Sequence, residues 1–224
     1  MDFSRENKKD VVLKEAKSRL DALVAQHYYL TARELDGQDC YLYHRAFSGG
    51  LQEFIEAFTF YDYLNQEEFH HWDSYQKKLT YEISDRPVKS VAEVFSAASS
   101  KSPPEPPSTK TVVAFIPPLD YILGLADLSG ELMRKCINNL GAGDIDGCYK
   151  MCNVVRKLYT GLQNIGPNRN KEMSHKAFTL RQSLLKMEMV CYNIHVRGTE
   201  VPKHMLVDVL THEDYGEEDE GFFN

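Results

Sequence analysis

The sequence predicts an all-α protein, an antiparallel bundle of about six helices. Three observations carry that prediction. Apolar residues recur at three- and four-residue steps through most of the chain. Helix-stopping signals fall at wide intervals, at Asp36-Gly37, Gly141-Ala142-Gly143 and Gly166-Pro167. No segment alternates with strand period beside a convincing hairpin turn. Short connections between long helices then favour antiparallel neighbours.

The first helix is expected from about residue 8 to 35, where Val12, Ala16, Leu20, Leu23 and His27 share a stripe. A second, or two in continuation, runs from about 38 to 82. Between Ala46 and Tyr61 its only charges are Glu53 and Glu56, the pattern of a helix buried nearly all round. Residues 97–118 (AASSKSPPEPPSTKTVVAFIPP) form the one clear linker. Their prolines and serines exclude a packed helix and favour an extended, mobile loop. We read it as a loop within a single domain covering residues 1–224, because acid pairs on either side of it need each other.

Beyond the loop, Pro118 suits a first helical turn, and Asp120 is an acid favoured at that positive end. Asp144 is placed to cap the next helix, which runs to Gly166. A long helix covers about 170 to 196, and Pro202 opens a short final one. The tail at 212–224 gathers Glu213, Asp214, Glu217, Glu218, Asp219 and Glu220, as a solvated, disordered end does.

The chain has 224 residues, 42% of them hydrophobic, ample for a core. No apolar run approaches the roughly 20 residues needed to cross a bilayer. The polar opening, MDFSRENKKD, has no apolar signal-peptide core, so a soluble, intracellular protein is expected. The five cysteines (Cys40, Cys136, Cys148, Cys152, Cys191) are scattered, with no C-x-x-C pair, and read as reduced core thiols. A net charge of −7 argues against a chain that coats nucleic acid by itself. Gly49-Gly50 and Gly141-Ala142-Gly143 match neither nucleotide-binding fingerprint, and no nucleophile elbow is present.

The chemistry points instead to two acid pairs, Glu53-x-x-Glu56 and Asp127-x-x-x-Glu131. Glu53 and Glu56 project within about 60° of each other, opposite Leu51, Phe54, Ile55 and Phe58. Asp127 and Glu131 fall within about 40°, with Leu125, Leu132, Met133 and Cys136 facing away. Neither Glu53 nor Glu56 has a lysine or arginine three or four positions distant. If the two helices face each other, four carboxylates converge. Two of them about 5 Å apart repel by roughly 3 kcal/mol at an effective dielectric of 20, which protonation or a cation must relieve. All-oxygen ligands favour Mg²⁺ or Mn²⁺ over zinc. The bland alternative is solvated surface charge, with Glu131 simply pairing to Arg134 or Lys135. A weaker rival is a di-iron reading of Glu68-x-x-His71 and Glu172-x-x-His175, whose polar surroundings are those of exposed helix. Aromatic residues such as Tyr41, Tyr43 and Tyr63 read as core or subunit interface, and Phe60 as a candidate base-stacking residue.

At the acid pairs the sequence resembles a known family. The stretches HRAFSGGLQEFIEAFTFYDYL, PLDYILGLADLSGELMRKCINNLGAGDID and VRGTEVPKHMLVDV are similar to members of the translin family, over about residues 11–211. The resemblance implies a bundle of six to seven helices. It also implies association with translin in a hollow hetero-oligomer, usually an octamer, that binds single-stranded RNA and DNA. The implied activity is a Mg²⁺-dependent endoribonuclease that removes the nicked passenger strand in activation of the RNA-induced silencing complex and trims tRNA-processing fragments. The family's catalytic acids match Glu53, Glu56, Asp127 and Glu131. A cytoplasmic and nuclear protein follows, although this chain begins near the family's second helix, without its usual basic import stretch. The alternative within the family is a non-catalytic nucleic-acid-binding scaffold that stabilises or regulates translin.

Overall fold

The computed structural model describes residues 3–66, 68–85, 108–166 and 170–197. The described residues are all-α apart from one two-stranded sheet. In order, α1 spans Phe3–Leu23 and runs through a π-helical turn, Val24–Tyr28, into α2, Tyr29–Glu34. Helix α3 spans Cys40–Gln66 and α4 Trp72–Lys78; β1 (Thr80–Asp85) and β2 (Ser108–Val113) follow. Helices α5 (Pro118–Gly141), α6 (Ile145–Ile165) and α7 (Lys171–Arg197) complete the described chain. No described helix is long and apolar enough to cross a membrane. The expected helix at Pro202 and the acidic tail lie outside the described residues.

The chain divides into two compact units: Met1–Gly49 with Leu64–Pro118, and Gly50–Tyr63 with Leu119–Asn224. In the first, the expected apolar stripe of α1 is only partly covered: Leu20 is buried, whereas Val12 and Leu23 stand exposed. The π turn widens the helix and weakens its carbonyl pairing. The Tyr81 hydroxyl donates to Val24 O at 2.7 Å, satisfying one of those carbonyls.

The sheet corrects two sequence expectations. Helix was expected to about residue 82, but it stops at Lys78, and Thr80–Asp85 pairs antiparallel with Ser108–Val113, Thr80 opposite Val113. The expected mobile loop at 97–118 therefore includes a strand. Residues 97–107 lie outside the described part, while Val112, Ala114 and Ile116 are buried. Thr109, Thr111, Val112 and Val113 are β-branched and suit a pleated, half-buried edge. The chain beyond β2 is clasped by one side chain. Gln76 donates from Nε2 to Ala114 O at 3.1 Å and accepts at Oε1 from Ile116 N at 2.8 Å. The Trp72 indole adds a bond to Ile116 O at 3.0 Å.

The second unit is helical. Asp144 caps α6 as expected, accepting at 3.0 Å from Gly147 N, and Gly166 ends the helix at φ 81°. Helices α6 and α7 pack together. All five cysteines are free, with Cys136, Cys148 and Cys152 buried, the placement expected of core thiols. Helix α3 crosses α5 at Gly124. A Cβ there would lie 2.8 Å from both Gln52 O and Ile55 Cβ, so only glycine permits this approach. The α3 segment is buried along one face, at Leu51, Gln52, Phe54, Ile55, Phe58 and Thr59, rather than nearly all round. Ala46, Gly50, Glu53 and Ala57 are exposed, so the missing charges do not mark a fully enclosed helix.

Candidate functional site

The Gly124 crossing sets the Glu53–Glu56 turn of α3 beside the Asp127–Glu131 turn of α5, all within the second unit. Glu53 is exposed and the other three carboxylates are half-buried. Asp127, Glu53 and Glu131 all lie within electrostatic reach of Glu56. Burial first, then the charges of Asp127, Glu53 and Glu131, push the Glu56 carboxyl up to about 7 from its ordinary 4.5. The Lys176 ammonium opposes that rise. The convergence of the two stripes is therefore present.

The cation that the acids require comes from a third helix. Lys176, on α7, bonds through Nζ to Asp127 Oδ2, its side chain only 17% exposed. The same Nζ donates to Gln52 Oε1 at 2.6 Å. Gln52, buried on α3, donates in turn from Nε2 to Asp120 Oδ1 at 3.0 Å. Asp120 is 1% exposed, so it does more than sit favourably in the first turn of α5. Asp120, Gln52, Lys176 and Asp127 thus tie three helices together under the acid stripe. Gln52 and Lys176 carried no local signal. A search for cations three or four residues from the glutamates finds none, and Lys176 lies in NRNKEMSHK, which reads as surface helix.

Glu131 pairs with Arg134 on its own helix, as its spacing allowed. The di-iron reading finds no support at its two motifs. Glu68 and His71 are exposed, with His71 paired to Asp73, and Glu172 and His175 are exposed on α7. Phe60 is half-buried beside the acid turn in sequence.

The donor chemistry fits a hard divalent cation. Every candidate ligand atom is a carboxylate oxygen, and the crowding that lifts Glu56 is relieved by added positive charge. Among the described residues, no three His, Cys, Asp or Glu side chains already close on one point as a ligand group. Lys176 and Arg134 hold two of the four carboxylates instead.

A model described as the translin family matches residues 2–198. The chain belongs to the translin family. The resemblance to this family is thereby borne out, the match taking in the first two of the three stretches whole. The chain is similar to translin-associated protein X of Mus musculus, 40% identical over 203 residues, covering 89% of this chain and 66% of that protein. The Pongo abelii protein of that name is 38% identical with the same coverage. The Schizosaccharomyces pombe homolog is 25% identical over 171 residues, 75% of this chain and 59% of its own length. The chain thus spans just under two thirds of the length of the curated mammalian relatives it matches. By its name, translin-associated protein X is a protein associated with translin.

Proposed function

We propose that this chain is the catalytic subunit of a Mg²⁺-dependent endoribonuclease assembled with translin, acting on single-stranded or nicked RNA. The observation that carries the reading is the gathering of Glu53, Asp127 and Glu131 around Glu56, whose carboxyl is raised by burial first and then by those three acids. These are the residues that would hold the ion, Mg²⁺ or Mn²⁺. A divalent ion there supplies Lewis-acid activation of water and neutralises charge at a phosphodiester. Glu56, titrating near neutrality, is suited to take a proton from attacking water. Asp127 is held in place by Lys176, and Gln52 with Asp120 fixes that lysine.

Assembly with translin, in an octamer of the family's kind, is supported by family membership and by the surface. Phe178, Leu185, Met189, Tyr192 and Val196 leave an apolar stripe exposed along α7, and Tyr41, Leu42 and Tyr43 are exposed in the first turn of α3. The acidity of the chain, at −7, fits a subunit that draws its grip on RNA from a partner. A role in passenger-strand removal and tRNA-fragment trimming, in cytoplasm and nucleus, belongs to the same proposal.

A second reading, a non-catalytic scaffold for translin, is favoured by Lys176 and Arg134, which already satisfy two of the acids. One assay separates the two. The chain co-purified with translin is given single-stranded RNA with Mg²⁺, with Mn²⁺, or with EDTA. Cleavage that needs the metal supports the nuclease. Undiminished cleavage in EDTA rejects the mechanism, and no cleavage under any condition favours the scaffold.

A further inference from the structure

We propose that Lys176 is the resident cation of the acid cluster, a positioning residue whose ammonium holds Asp127 in the metal-free protein and competes there with the divalent ion. The inference rests on the nuclease reading for the identity of the ion. Its geometry is independent of that reading.

Four features distinguish Lys176 from a surface lysine that happens to meet an acid. It lies 49 residues from Asp127 and 124 from Gln52, so the contacts are tertiary and not neighbours on one helix turn. Its side chain is largely withdrawn from water, which makes an ammonium costly unless it is paired. Both of its acceptors are specified. Gln52 turns its amide oxygen to Nζ because its amide nitrogen is engaged by buried Asp120. Lastly, its two bonds reach α3 and α5 at the turns that carry the acids. The network thus aims one fixed positive charge into a cluster of negative ones.

A fixed ammonium acts on a divalent ion in two opposing ways. It orients Asp127, which favours ligation, and it repels a second cation, which opposes it. At a few ångströms, repulsion from a dication exceeds the gain from orienting one carboxylate that its own helix already carries. Removing the charge must therefore tighten metal binding. A lysine that served only to hold helices together would give the reverse result, because loosening the helices scatters the ligands. Binding a divalent ion is then an exchange of cations rather than an addition.

The test compares the full chain with its Lys176→Met, Lys176→Gln and Lys176→Arg variants. Free Mn²⁺ is measured by its electron paramagnetic resonance signal during titration, with circular dichroism as the check on folding. Lys176→Gln keeps a donor for Asp127 or Gln52 if the methionine variant fails to fold. The neutral variants should bind Mn²⁺ at least about threefold more tightly, and Lys176→Arg should restore the parent affinity. Equal or weaker binding by the folded neutral variants overturns the role of Lys176 while leaving the metal reading in place. Absence of saturable Mn²⁺ binding by every protein, the neutral variants included, overturns the metal reading and the cation exchange with it.

Discussion

Gly124 on α5 stands so close to Ile55 on α3 that one added methyl would lie 2.8 Å from the Ile55 Cβ and equally near the Gln52 carbonyl oxygen. The neighbours here are backbone and a branched Cβ, and neither can swing aside. Gly124→Ala should therefore push the helices apart and destabilise the protein by about 1–3 kcal/mol, despite alanine's better helix propensity. Urea denaturation reads the change. A variant as stable as the parent would show that the crossing is not as close as described.

The acid variants test the site itself. Glu53→Ala, Glu56→Ala and Asp127→Ala should each lower Mg²⁺-dependent RNA cleavage about a hundredfold or more, measured on the complex with translin. RNA affinity, followed by filter binding in EDTA, should barely change. Three variants cutting at the parent rate would leave the scaffold reading standing.

Glu56 also predicts a pH dependence of stability. Its carboxyl is lifted from 4.5 to about 7, chiefly by burial and then by its acidic neighbours. Below the unfolded value both states hold the proton and the contribution to stability is complete. As pH rises through this window the unfolded chain releases its proton first, so stability falls, levelling off above about 7. Glu56→Gln should flatten that fall and leave the metal-free protein more stable at pH 8, on the order of 1 kcal/mol after discounting for the half-exposed carboxylate. Melting temperatures at intervals across that range check it. A glutamine variant with the parent's pH profile would show that Glu56 is not the group responsible.

The clasp by Gln76 predicts a structural effect far from any chemistry. Gln76→Ala leaves the Ala114 carbonyl and the Ile116 amide without this partner, at a cost of about 1–3 kcal/mol. Hydrogen exchange at Ile116 should accelerate well beyond that in β2. Unchanged protection there would mean that Trp72 and the bond from Ala114 N to Leu79 O secure the segment without Gln76.

How much of this was legible in the sequence differs by element. The helices beyond Pro118 were readable nearly to the residue, because their ends carry unambiguous chemistry: proline at the first turn, Asp144 at a cap, Gly166 in the left-handed region. The strands were not. Each is six residues long, and their partners are separated by a proline-rich stretch that hides any hairpin signal. The acid stripes were visible because 3.6-residue periodicity decides which side chains share a face. Their counter-charge was invisible for the same reason. Periodicity speaks only of neighbours on one helix, and Lys176 arrives from another; buried Gln52 carries no sequence mark at all.

The π turn at Val24–Tyr28 has a consequence for insertions and deletions. A widened turn accommodates one residue more than an α-helical turn, so α2 is rotated by about 100° from the line that α1 would have continued. That rotation presents Ala32 to the interior, 1% exposed, leaves Leu30 outside, and sets Tyr29 edge-on to Tyr81 at 5.4 Å. Loss of a single residue between Val24 and Tyr28 would restore ordinary α-helix and leave α2 facing as it does, whereas straightening the turn at the same chain length would swing α2 to the wrong side. In this part of the chain the reading frame of the fold is kept within a helix.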